Sequence, residues 1–319
     1  MRPPLITSSR LKVFRRCRRE EHFRYRLGRA TPATAAMEFG TLIHKGLEAW
    51  WIARGGPDAE LALAAALLAM RAAAAEAEAD AFDLAKAEAL LIGYDGRWAP
   101  QPCRVLAVEA EFRAELPSDV PFALGQRIGG KLDVVIRDQE GRVLIIEHKT
   151  SSEDISQGST YWARLRMDGQ VSLYFLGAEA LGYQVEGVIY DVIGKPAQRP
   201  AKATAEPKLK KNGEPYANQR LADETPDEYK ARIVQALAAD PDRYFARAPI
   251  VRLEGERARH LAELQAEARE LAAAAPLPNP DSCTRYGSTC SYFGVCTGER
   301  RLDEYPQLTN LHPELSEEP

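Results

Sequence analysis

The chain has 319 residues, 45% hydrophobic and 28% charged, with 42 basic against 46 acidic side chains and a formal net charge of −4. This length exceeds one typical domain, and the composition is that of a globular protein, which excludes fibrous, collagen-like and wholly disordered chains. The longest apolar run, Leu61 to Met70, is ten residues, against the roughly 20 that a membrane helix needs; with no apolar leader before the N-terminal arginines, a cytoplasmic protein outside the membrane is expected.

Ser8 and Ser9 precede Leu11 and Phe14, so a capped helix is expected to open near residue 8 and to carry Cys17 on its second or third turn. A second helix is expected over Gly40 to Trp51. A long Ala- and Leu-rich helical stretch without Pro or Gly follows from Asp58 to about Leu91. The period then changes. Val105 to Leu116 alternates, Ile128 to Ile136 and Val143 to Glu147 are rich in β-formers, and Asp138 to Gly141 supplies a turn, so the three segments predict a meander. Tyr161 to Leu181 is helical again, and Val185 to Ile193 is a further strand. Residues 194–222, rich in Pro, Lys, Asn and Gly, are expected to form an exposed loop or hairpin. Helix returns from Thr225 to Ala275 and ends at Pro276, Pro278 and Pro280, and the last residues, Pro313 to Pro319, are expected to fray.

These elements predict an α/β fold, a mixed central sheet flanked by helices, with a helical N-terminal part and a cysteine-bearing C-terminal helical lobe. The expected divisions are residues 1–100, a core over 101–194, a basic insertion or loop over 195–224, and the lobe over 225–319. Charge is uneven along the chain. Residues 1–29 hold ten Lys or Arg against Glu20 and Glu21, and residues 195–220 hold seven against two. Arg15, Arg16, Arg18, Arg19, Lys208, Lys210 and Lys211 are therefore candidates for phosphate contact, the alternative being a solvated helix face.

Asp133 closes Gly130-Lys131-Leu132-Asp133 inside a strand, and one turn later the next strand ends Glu147-His148-Lys149. Charged groups among Ile, Val and Leu are costly unless paired or metal-bound. Two carboxylates that hold one or two divalent cations, with a lysine to orient water, suit phosphodiester hydrolysis. Strand alternation puts Glu147 and Lys149 on one face and His148 on the other, which leaves the His148 backbone carbonyl available as a further ligand. A surface salt bridge at a strand end is the bland alternative. His44 and Glu48, one helical turn apart, could both face such a site, and Gln170 and Tyr174 repeat that spacing on the helix after the lysine.

In this order the motifs resemble the PD-(D/E)xK nucleases, in particular the RecB-like branch that includes nuclease domains of helicase–nuclease complexes and exonucleases of CRISPR adaptation. They are Ser-Ser-x-Leu-x-x-Phe-x-x-Cys, Gly40 to Glu48, Gly130 to Asp133, Glu147-x-Lys149 and Gln170 to Tyr174. The resemblance implies that His44, Asp133 and Glu147 bind Mg2+ or Mn2+, that Lys149 is catalytic, and that Gln170 and Tyr174 support the substrate. Leu132 departs from the proline in the family's name. The resemblance also implies a [4Fe-4S] cluster on Cys17, Cys283, Cys290 and Cys296, although the six residues between Cys283 and Cys290 exceed the usual two. Four thiolates can equally hold a structural Zn2+.

The activity so implied is that of a divalent-metal-dependent DNA nuclease, an exonuclease on single strands or duplex ends, in recombination, repair or phage DNA processing. Its partners would be DNA and a single-strand annealing protein, helicase or other recombination protein. Two other classes compete. One is a non-catalytic iron–sulfur DNA-binding or assembly subunit. The other is a nucleotide-driven motor, which Gly125 to Lys131 (GQRIGGK) would favour as half of a phosphate-binding loop. Leu132 there replaces the metal-holding hydroxyl and the segment enters a strand, so it is read as coincidence. Gly129 and Gly130 are expected to admit DNA backbone or a bulge beside Asp133.

Overall fold

The computed structural model describes residues 5–117, 125–217, 219–285 and 287–316; Arg2 and the final residues 317–319 lie outside them. The elements in chain order begin with β1 (Leu5–Ile6), α1 (Ser8–Arg16), α2 (Arg18–Glu21), α3 (Ala35–Gly55), α4 (Ala62–Glu76) and α5 (Ala81–Trp98). Then come β2 (Arg104–Glu115), β3 (Arg127–Arg137), β4 (Val143–Ser151), α6 (Thr160–Leu165), α7 (Gly169–Ala180) and β5 (Gly187–Gly194). The chain continues through α8 (Pro226–Ala239), β6 (Phe245–Ile250), α9 (Glu254–Ala273), the hairpin strands β7 (Thr284–Arg285) and β8 (Ser288–Thr289), and α10 (Phe293–Thr297).

The expected mixed sheet is present. Its six strands include β1, β3, β4, β5 and β6 in that order, with β2 on the other side of β3. β2, β3 and β4 form the meander by antiparallel pairing, while β4 and β5, joined through α6 and α7, are parallel from Leu144 opposite Gly187 to Ser151 opposite Gly194. β2 occupies one edge of β3. Along the other edge β1 pairs only at Arg127–Ile128 and β4 only at Val134–Arg137, so residues 129–133 lie in a fork between them.

Helices cover both faces of the sheet. α3, α4, α5 and α8 bury Ile43, Leu47, Trp50, Leu90, Tyr94 and Ile233 over one face. α1, α7 and α9 bury Leu11, Phe14, Val171, Phe175 and Leu264 over the other. Residues 1–100 thus contribute to both faces. Leu132 belongs to the second core and Val134 to the first, so β3 changes face at Asp133, the position between them.

Several local expectations are corrected by specific backbone chemistry. Thr7, not Ser8, caps α1 by accepting from the Arg10 N–H at 3.2 Å, and Cys17 lies past the helix, at the junction with α2. The stretch from Asp58 to Leu91 is broken: Glu78 adopts φ +50° and Asp80 starts α5 by accepting from Phe82 and Asp83 N–H groups. The span 161–181 is divided where Asp168 caps α7. The expected helix from Thr225 to Ala275 is interrupted by β6, which pairs antiparallel with β5 as an edge strand, a position that tolerates Pro249. Residues 195–217 are irregular, with one bridge from Leu209 to Pro215. The tail does not fray up to Ser316: Leu315 is buried, and Ser316 donates through its N–H (2.8 Å) and hydroxyl (2.6 Å) to Glu111.

Gly129 and Gly130 are required by the chain's own packing. A Cβ on Gly130 would sit 2.8 Å from the Phe112 ring, and one on Gly129 2.9 Å from Leu5. Residues Arg127 to Lys131 of the GQRIGGK segment run inside β3, which removes the nucleotide-loop alternative.

Candidate active site

Strand register assembles the site. Val108 faces Val134 and Ala110 faces Leu132, so Glu109 stands opposite Asp133; Val134 in turn faces Ile146, which puts Glu147 at the next position on the other side of Asp133. Three carboxylates from three strands therefore line up at the fork. Asp133 and Glu147 were expected from sequence, and Glu109 was not. Its backbone is left-handed at φ +51°, rare for a residue with a side chain and of the kind held at functional sites by their surroundings. Glu109 is ion-paired with Lys131.

His44 comes from α3 over the first face and reaches the row from above, with Nδ1 3.8 Å from Asp133 Oδ2. One ligand atom each from His44, Glu109 and Asp133 lies within 4.8 Å of the others, a group suited to one cation. Burial, then the neighbouring His148, Lys149 and Lys131, pushes the His44 pKa down to about 3, so its imidazole is neutral and able to donate a lone pair at physiological pH. Glu48, one helical turn from His44, accepts from Lys45 at 2.9 Å.

Burial raises the Asp133 carboxyl well above its usual range, and the charges of Glu147 and Glu109 add to this against the opposing effect of Lys149. Asp133 Oδ2 accepts the His148 backbone N–H at 2.8 Å, which fixes it across the fork. Glu147 is 2% exposed. Its Oε1 accepts from Gln170 Nε2 at 2.8 Å and from Lys149, while Oε2 is buried without a hydrogen-bond partner among the described residues. An orphaned buried carboxylate oxygen is costly unless a cation completes it, so the donor set fits a hard divalent metal. For Lys149, burial works against the charged form, but Glu147 and Asp133 outweigh it and keep the ammonium protonated.

α7 supplies the remaining predicted residues. Gln170 Nε2 also donates to the Tyr174 hydroxyl at 2.6 Å, and Gln170 Oε1 accepts from Lys149 Nζ at 3.3 Å. The expected division of faces at the Glu-His-Lys motif is present. The His148 ring packs with Trp51 and Tyr94 on the first face, its Nδ1 3.4 Å from Asp191, whose Oδ2 accepts from Tyr94 (2.7 Å) and Arg247 (2.8 Å).

The basic candidates separate into two groups. Arg15 pairs with Glu267 (2.5 Å), Arg16 with Glu20 (2.8 Å) and Arg18 with Glu270 (2.9 Å), and Arg19 donates to the Pro276 carbonyl (3.1 Å). Three of these four arginines clasp α9 and the segment after it, while Arg15, Arg16 and Arg18 remain partly exposed. Lys208, Lys210 and Lys211 are exposed.

The cysteine segment is folded onto the α1–α2 junction. Asn279 Nδ2 (2.8 Å) and Ser282 Oγ (2.9 Å) both donate to the carbonyl of Arg16, the neighbour of Cys17, which places Cys283 beside that junction. The β7–β8 hairpin then returns the chain so that Cys290 N–H donates to the Cys283 carbonyl at 2.7 Å. The long spacing between these cysteines is therefore absorbed by a hairpin. Cys103 lies apart, packed against the first core.

A mixed sheet whose forked strands hold an acid row and a lysine defines an α/β protein of the restriction-endonuclease-like type. The chain belongs to the PD-(D/E)XK nuclease superfamily, whose family model matches residues 6–297. A solved structure described as "Crystal structure of SSO0001" aligns over 89% of this chain and 96% of that one at 15% identity and a TM-score of 0.32. No curated protein matches. Nucleases of this superfamily use divalent metals, and among the described residues no helix is long and apolar enough to cross a membrane.

Proposed function

We propose that the protein is a divalent-metal-dependent deoxyribonuclease, an exonuclease on single strands or duplex ends that serves recombination, repair or phage DNA processing. The row Glu109, Asp133 and Glu147, flanked by His44 and Lys149, carries this reading. His44, Glu109, Asp133 and Glu147 would hold Mg2+ or Mn2+, with the His148 carbonyl as a further ligand. The bound metal would polarise the phosphate and acidify water. Lys149 orients that water or meets the developing charge, and Gln170, itself anchored by Tyr174, holds Glu147 and Lys149 in register. With an imidazole in the set, Mn2+ should serve at least as well as Mg2+.

Cys17, Cys283, Cys290 and Cys296 would hold a [4Fe-4S] cluster. A structural Zn2+ on the same four thiolates is the alternative. The exposed Lys208, Lys210 and Lys211 would meet DNA phosphates.

The test is to incubate the protein with Mn2+ or Mg2+ and end-labelled linear or circular single-stranded DNA. Loss of label from the linear substrate with the circle intact is expected. Cleavage of the circle would remove the exonuclease assignment, and DNA binding without cleavage of either would favour the assembly-subunit alternative.

A further inference from the structure

The basic residues of α1 and α2 are not alike. Arg10 ends on Glu21 at 2.6 Å, and Arg15, Arg16 and Arg18 end on the carboxylates described above. Lys12 instead approaches Asp168 Oδ2 at 3.5 Å, a carboxylate already occupied in accepting from the Gln170 N–H (2.9 Å) and the Tyr190 hydroxyl (3.0 Å). Its closest hydrogen bond goes to a neutral group. Lys12 Nζ donates to Gln170 Oε1 at 2.9 Å, the amide oxygen that also accepts from Lys149.

Two ammonium groups thus converge on one amide oxygen, next to the acid row that Gln170 touches through its Nε2. Like charges side by side oppose one another, and that opposition is relieved when an anion sits between them. The Lys12 side chain is 49% exposed, open to a passing strand in a way that Glu147 is not. Burial lowers the Lys12 pKa and Lys149 adds to this, an effect that Asp168 and Glu147 only partly oppose.

We propose that Lys12 is a second active-site cation which, with Lys149, grips a phosphate flanking the scissile one on the DNA strand. This rests on the nuclease reading for its substrate, so its test includes a measurement that needs no cleavage. Lys12→Gln and Lys12→Arg are compared with wild type, first for binding of a short single-stranded oligonucleotide in metal-free buffer across a range of salt. Losing one phosphate contact should reduce the slope of log affinity against log salt by about 0.7 in Lys12→Gln, with the wild-type slope kept in Lys12→Arg. The second measurement is Mn2+-dependent cleavage of oligonucleotides carrying one neutral methylphosphonate at successive positions.

Wild type should lose about tenfold in kcat/KM at one flanking position, and Lys12→Gln should show about that loss on ordinary DNA with nothing further lost at that position. An unchanged salt slope, or a methylphosphonate penalty in Lys12→Gln as large as in wild type at every position, overturns the contact. A reduced slope in a protein whose wild type cleaves nothing keeps the contact and removes the nuclease reading.

Discussion

Glu147 and Glu109 reach the same centre from patterns of unequal legibility. Glu147 stands after Ile145 and Ile146, where an ionised group demands a partner, and its spacing from Lys149 names the chemistry. Glu109 alternates with Glu111 in Val-Glu-Ala-Glu-Phe and looks like the solvent side of a strand. Only the extra residue near Leu106 and the left-handed backbone at position 109 turn it toward Asp133, and neither is written in residue type. Glu48, which helical spacing aligns with His44, is ion-paired with Lys45. The three acids repel one another without a cation, and the backbone at Glu109 costs about 1–3 kcal/mol. Glu109→Gln should therefore weaken Mn2+ binding at least about tenfold while leaving the metal-free protein no less stable. Calorimetric titration and thermal melts measure both, and an unchanged Kd would contradict a ligand role for Glu109.

Element order was legible because hydrophobic period changes mark it: helix to Leu91, alternation from Val105, helix again from Tyr161. Breaks were missed where a single capping or turning residue decides them, as at Asp80 and Asp168, and β6 was missed because the Asp240-Pro241 stop and Pro249 were outweighed by the flanking helical composition. Within the basic stretch at the N-terminus, the pairing of Arg15 and Arg18 with Glu267 and Glu270 could not be read locally, since those acids lie on α9, over 240 residues away. That clasp and the cysteine segment hold α1 together. Cys17→Ser should lower the melting temperature by at least about 3 °C and, with a cubane in place, remove the brown colour, iron and acid-labile sulfide. Unchanged stability and one bound zinc per chain in the wild type would contradict this.

The segment over 195–224 is anchored differently. Hydrogen bonds from Arg232 hold the Glu224 carboxyl at about 2 in spite of burial, helped by the Ala201 N–H. The ordinary value is about 4.3. Because folding lowers it, the carboxylate contributes in full above about pH 4.3 and loses that contribution as the pH falls toward 2. Glu224→Gln should be less stable than wild type by about 1 kcal/mol at pH 7, and the gap should narrow between pH 5 and pH 3. Urea denaturation at pH 7, 5 and 3 checks it; a gap independent of pH would contradict the role of the charge.

At the scale of the whole molecule, one sheet separates two cores and the site sits where they meet. β3 turns from one core to the other at Asp133, α3 brings His44 over one face, and α7 brings Gln170 and Tyr174 over the other. The α/β class and six of the site residues were legible because they follow from local pattern. The fork, the third acid and Lys12 were not, since each depends on strands or helices far apart in sequence. The most direct measurement is Mn2+-dependent cleavage of end-labelled single-stranded DNA by wild type, Glu147→Ala and Lys149→Ala, each shown by circular dichroism to be folded. Wild type should release nucleotides, and each variant should lose at least about a hundredfold in kcat while still binding the DNA. Wild-type rates in either folded variant would contradict the assignment of the centre.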